Sequence, residues 1–142
     1  MRRMNIADVE RARAGEKNLC GADLRGANLT AANLTGADLT GADLTNANLT
    51  KADLRGAKLI GANLTGAKLI GADLLCAMLH DAKLRSANLR DARLLYAGFH
   101  NADLCGADLT SARNPYDATF TDVRYDSLTY WPEGFPPPHE HR

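Results

Sequence analysis

Few side chains in this sequence can carry chemistry, and they are poorly grouped. His80 and His100 are widely separated, with Asp81 beside the first, so only a fold that returns to the same place over that interval would bring two imidazoles together. Two nitrogen ligands do not make a zinc site, which takes four protein ligands when structural and three plus water when catalytic. Cys20, Cys76 and Cys105 are odd in number and lack CxxC spacing, which argues against a disulfide framework and against a thiolate metal site. His139 and His141 fall in a terminal tail. No nucleophile, base and orienting group converge, so the chain reads as a non-enzyme with no catalytic residue, metal or cofactor.

The element that positions these residues is a repeat. Ala22-Asp23-Leu24-Arg25-Gly26 is followed by Ala27-Asn28-Leu29-Thr30-Ala31 and Ala32-Asn33-Leu34-Thr35-Gly36, and Leu or Phe recurs at every fifth position from Leu19 to Leu109. A helix turns about 100° per residue, so a five-residue step scatters the leucines around its axis. A straight strand fails too: Leu24 to Ala27 is an odd offset and would send alternate units to opposite faces. The chain must bend once per unit. Gly26, Gly36, Gly41, Gly56, Gly61, Gly66, Gly71 and Gly106 stand two residues after their centres, where a sharp corner favours a residue without Cβ.

These residues carry a family resemblance. The A(D/N)LxX pattern resembles the repeat of pentapeptide-repeat proteins over roughly residues 17–130. The resemblance implies an all-β fold, a right-handed quadrilateral parallel β-helix in which four pentapeptides make one square coil. Like residues four units apart agree with it: Asp53 and Asp73, Arg93 and Arg113, His80 and His100, Leu75 and Leu95, Tyr96 and Tyr116. Leu34, Leu54, Leu74 and Leu94 are then expected to stack inward on one face.

A solenoid exposes apolar core and unpaired backbone at each end, and both ends need covers. In residues 1–16, Asn5 is placed to N-cap a short helix reaching about Ala14, with Ile6 and Val9 on one side and Gly15 as its stop. Past Leu109 the register slips by one residue around Asn114 to Ala118, after which Phe120, Tyr125 and Tyr130 are expected as centres. Residues 131–142 open with Trp131 and Phe135, read as a lid over the core or, as in the quinolone-resistance members, a dimer interface. Pro136 to Arg142 is expected to be disordered.

Function must sit on outward positions. Lys and Arg number 17, as do Asp and Glu, so no long-range field favours nucleic acid or an anionic membrane. The sequence shows neither a signal peptide nor a membrane span, which makes the cytoplasm the expected location. The least ordinary outward feature is apolar: Leu75 and Leu95 follow their centres, with Cys76, Tyr96 and Tyr116 at the adjoining corner, where earlier coils carry Thr35, Arg55, Gly36 and Gly56. Such a column is the expected protein-contact surface, for a foreign partner or for a homodimer through this face or the C-terminal aromatics. The expected function is a scaffold for protein interaction. The alternative that the resemblance implies is a DNA mimic binding a type II topoisomerase, which the zero net charge disfavours.

Overall fold

The structure is a computed structural model that describes residues 5–139. Its architecture follows from the bend in each five-residue unit. The carbonyl of every Leu centre accepts from the Ala N–H of the next unit, as in Ala37 to Leu34 at 3.0 Å. The residue before that Ala has positive φ, +66° at Gly36, as at the third position of a type II turn. Turning consumes most of each unit, leaving one residue free to pair. The solenoid is therefore built from isolated parallel bridges rather than continuous strands, a difference from the all-β helix expected from the sequence.

The bridges give the repeat length directly. Asn18 pairs with Asp38, Asn33 with Asp53 and Asp73 with Arg93, and the offset stays at four pentapeptide units through the pairing of Arg93 with Arg113, so four units complete a coil. Each rung is a pair of bonds along the axis: the Leu34 N–H donates to the Asp53 carbonyl (2.8 Å), and the Asp53 N–H returns to the Ala32 carbonyl (2.9 Å). Between the rungs, Leu and Ala fill the interior. Leu34, Leu54, Leu74 and Leu94 are all fully buried, as expected, and each contributes about 1.5–3 kcal/mol by leaving water.

The outward Asp or Asn before each centre has a local task. The Asn48 Oδ1 accepts from the Thr50 N–H (3.0 Å) and Thr50 hydroxyl (2.6 Å), and Asp43 repeats this with Thr45 at 3.1 and 2.6 Å. These bonds close the backbone on the side away from the core. They give the A(D/N)LT pattern a reason that composition alone does not.

The N-terminal end is covered by α1 (Ile6–Arg13), N-capped by Asn5 and followed by Gly15 at φ +80°. Val9 and Ala12 enter the core, whereas Ile6 is 69% exposed. Ile6 thus does not share the buried side with Val9; the inward stripe begins a turn later. Polar residues of α1 take the bonds that a preceding coil would have made. Asp8 Oδ2 accepts from the Asp23 N–H (2.8 Å), while Arg11 and Arg13 donate to the carbonyls of Asn18 (2.6 Å) and Asn28 (3.1 Å).

At the other end the repeat lengthens. Gly98 pairs with Thr119 and Asp103 with Arg124, one residue beyond the regular offset, and Asp108 pairs with Tyr130, two beyond it. The first extra residue is absorbed by a 3₁₀ turn at Pro115–Asp117 and the second by a turn at Asp126, whose Oδ1 accepts from the Leu128 N–H (3.0 Å). The second insertion corrects the expected register. Tyr130 is a pairing residue 58% exposed to solvent, and Trp131 takes the inward place after it.

Phe120, Trp131 and Phe135 close the core, with Phe120 stacked on Phe99 at 5.0 Å and meeting Trp131 edge-on at 5.3 Å. The Tyr125 hydroxyl donates to the Pro138 carbonyl. The chain from Pro136 to His139 is thus held beside the last coil, where the sequence leads to an expectation of disorder; residues 140–142, His141 among them, lie outside the described residues.

Candidate functional site

Four outward columns run along the solenoid, and the one built on Asp53, Asp73, Arg93 and Arg113 differs most from the others. One residue past the centre it carries Leu75 and Leu95, both half-buried, and at the corner Cys76 and Tyr96, both exposed. The backbone dictates this display. Cys76 and Tyr96 each have φ +58°, a conformation that costs a non-glycine residue about 1–2 kcal/mol. Yet every corner from Cys76 to Asn101, namely Cys76, Asp81, Ser86, Asp91, Tyr96 and Asn101, forgoes glycine. A strained corner that keeps a side chain presents that side chain outward.

Tyr116 does not belong to this column. Asn114 takes the left-handed conformation (φ +60°), and the Tyr96 N–H donates to the Asp117 carbonyl, so the insertion carries Tyr116 away. Its hydroxyl donates to the Gly134 carbonyl (3.2 Å) and its ring meets Phe135 at 5.0 Å, making it the rim of the aromatic lid. The stacking of Tyr96 on Tyr116 expected from their spacing does not occur, because the 3₁₀ turn lies between them.

Charges beside the apolar residues are paired within the chain. Arg93 Nη1 lies 3.3 Å from Asp73 Oδ2 one coil away. Arg55 grips Asp53 with two nitrogens, at 2.8 and 2.6 Å, and this hydrogen bonding holds the Asp53 carboxyl down at about 2. Exposed pairs of this kind contribute about 0–1 kcal/mol each.

The other candidates are weaker. His80 and His100 do share a face, with ring centroids 6.1 Å apart, and His80 fills the space beside Gly98, but no group of three or more His, Cys, Asp or Glu side chains is placed to hold a metal among the described residues. Burial, with the Asp103 carboxylate adding to it, pushes the Cys105 thiol up, away from a reactive thiolate. An open groove of about 570 Å³ under α1 is lined by Asn5, Asp8, Asp23, Asp43, Asn63 and Lys83. Its polar groups are largely engaged in capping and turn bonds, Asp8 with Asp23 and Asp43 with Thr45. No helix among the described residues is long and apolar enough to cross a membrane.

Comparison with known proteins addresses the repeat rather than this patch. The family model described as pentapeptide repeats matches in eight copies, over residues 7–41, 18–50, 37–74, 47–85 and 72–110. HetL, a pentapeptide repeat protein involved in heterocyst differentiation regulation from the cyanobacterium Nostoc sp. strain PCC 7120, is 31% identical with a TM-score of 0.56; the match covers 75% of this chain and 59% of HetL. A pentapeptide repeat protein from the Arabidopsis thaliana thylakoid lumen is 30% identical over 73% of each chain, with a TM-score of 0.70. QnrB1, a plasmid-mediated fluoroquinolone resistance protein, is 20% identical over 71% of this chain and 58% of its own, with a TM-score of 0.54, a likeness of fold alone. No curated protein matches the chain.

Proposed function

The chain belongs to the pentapeptide-repeat family, and from that membership we propose that it is a non-enzymatic scaffold, wound with the right-handed square coil that the resemblance implies, which acts by presenting one face to a protein partner. The observation that carries this reading is the outward column of Leu75, Leu95, Cys76 and Tyr96, with two of its residues held at corners where glycine would be less strained. Apolar surface displayed against a backbone cost supports a contact role, because burial would return about 25 cal/mol per Å² before association entropy. A cytoplasmic location belongs to the same reading and is supported by three free cysteines. Replacing Leu75 and Leu95 together with Thr, the residue at the equivalent position Thr35, is expected to preserve the fold and abolish partner retention from a native lysate. Unchanged retention with unchanged sedimentation would remove the column from consideration.

DNA mimicry is the weaker reading. A mimic needs phosphate-like charge along its length, whereas Lys58, Lys68, Lys83 and Arg93 interrupt the pairing columns of all four faces. Micromolar protein is expected to leave gyrase supercoiling unaffected; inhibition at that level would reverse the ranking.

A further inference from the structure

We propose that the Leu75/Leu95 face binds the same face of a second copy of this chain, with the two solenoids antiparallel. The inference rests on the reading of that face as a contact surface and names its occupant. The ground for it is the order of charge along the pairing column: Asp53, Asp73, Arg93, Arg113, two acids followed by two bases in four successive coils. No other column divides in this way; that of Asp23 and Asp43 reaches Lys83 and then returns to acid at Asp103.

A two-fold axis lying in the contact plane, perpendicular to the solenoid and midway between the coils of Asp73 and Arg93, inverts height while leaving each column opposite itself. Asp73 then faces Arg93 of the mate and Asp53 faces Arg113. Leu75 meets Leu95, and Cys76 meets Tyr96. Each copy already places Arg93 3.3 Å from its own Asp73, and both side chains are about a third exposed. The two pairs therefore close into a ring of four charges of alternating sign, in which every carboxylate lies between two guanidiniums. The parallel arrangement would set Asp73 against Asp73 and Arg93 against Arg93, so the same pattern that favours one orientation opposes the other. Arg55, engaged with Asp53, faces the uncharged Asn114–Pro115 segment of the mate and adds no like-charge contact.

Sedimentation velocity of the full chain at high micromolar concentration tests this. The native protein is expected at twice the 15.3 kDa of one chain, and the Leu75→Thr, Leu95→Thr double variant at one. The decisive variant is the charge exchange Asp73→Arg with Arg93→Glu. It is expected to self-associate like the native protein yet fail to form mixed dimers with tagged native chain, since Asp73 would then face Glu and Arg93 would face Arg.

Should the exchange impair folding by circular dichroism, Arg93→Gln serves instead and is expected to weaken the dimer about tenfold or more. A monomeric native protein, free mixing of exchanged and native chains, an undiminished Arg93→Gln dimer, or a dimer indifferent to the two threonines each overturns the proposal. Loss of a foreign partner on the double threonine substitution, in a protein that stays monomeric, would leave the contact surface standing and remove only the second copy.

Discussion

Asp53 shows how one side chain joins turn, pairing and pH. Its Oδ1 accepts from the Arg55 N–H (3.2 Å) and both oxygens are held by the Arg55 guanidinium, which lowers its pKa to about 2. In the unfolded chain the value returns to about 3.9. The folded value is depressed, so the contribution is fully present above the unfolded value and is lost as pH falls from about 4 through 2. Asp53→Asn is expected to lower the denaturation midpoint at neutral pH and to flatten its decline across that acid window, as urea titrations at several pH values would reveal; an unchanged acid slope would exclude Asp53 as a contributor. The corners give predictions of opposite sign. Ala31 holds φ +57° without glycine, and Ala31→Gly is expected to raise stability by about 0.5–1 kcal/mol, the relief of left-handed strain less the greater freedom of the unfolded chain. Gly41→Ala, at φ +68° with open space around it, is expected to cost about 1–2 kcal/mol through the backbone alone. Thermal or urea unfolding of the two variants checks both signs.

Helix α1 acts as a substitute coil, and Asp8 is the residue that tests the idea. Asp8→Ala leaves the Asp23 N–H without its acceptor and the Arg11 guanidinium without one of its two carboxylate partners. The expected cost is about 1–3 kcal/mol, with amide hydrogen exchange accelerated in the first coil and little changed beyond Leu54. Uniform acceleration would mean that the end cover serves the whole solenoid as one cooperative unit. The helix, its Asn5 cap and the Gly15 stop are legible in the sequence because capping chemistry is local. The inward leucines are legible for a different reason: a strict period leaves only one way to keep them together. Ile6, Tyr116 and Tyr130 depart from expectation where neither constraint holds. Ile6 lies at the first residue of a short helix with no repeat to fix its rotation, while Tyr116 lies within the insertion at Pro115–Asp117 and Tyr130 follows the one at Asp126–Thr129, whose lengths no period governs. The outward apolar column is visible through its spacing, but the exclusion of Tyr116 depends on a turn that the sequence does not phase.

For the whole molecule, stability is distributed among neighbouring coils, because each rung touches only the coil before and the coil after. Leu54→Ala, removing a fully buried side chain between two complete neighbours, is expected to cost about 2–5 kcal/mol in equilibrium unfolding. A loss below that range would mean that the surrounding coils collapse readily into the vacated space. The same arrangement separates core from surface. Under the proposed contact reading, substitutions at Leu75 and Leu95 are expected to act on association, whereas those at the fully buried Leu54 and Leu74 are expected to act on folding.

The rung bonds run along the solenoid axis, from a centre N–H to the carbonyl of the next coil and from the residue before a centre back to the coil behind. A chain held by its two ends and pulled would therefore load them singly at an exposed edge, peeling the molecule like thread from a spool rather than shearing several strands together. Each four-unit coil released adds about 65 Å of extended chain. Force spectroscopy is expected to record low, evenly spaced peaks of that increment, with a distinct event for the aromatic end where Phe99, Phe120 and Trp131 interlock.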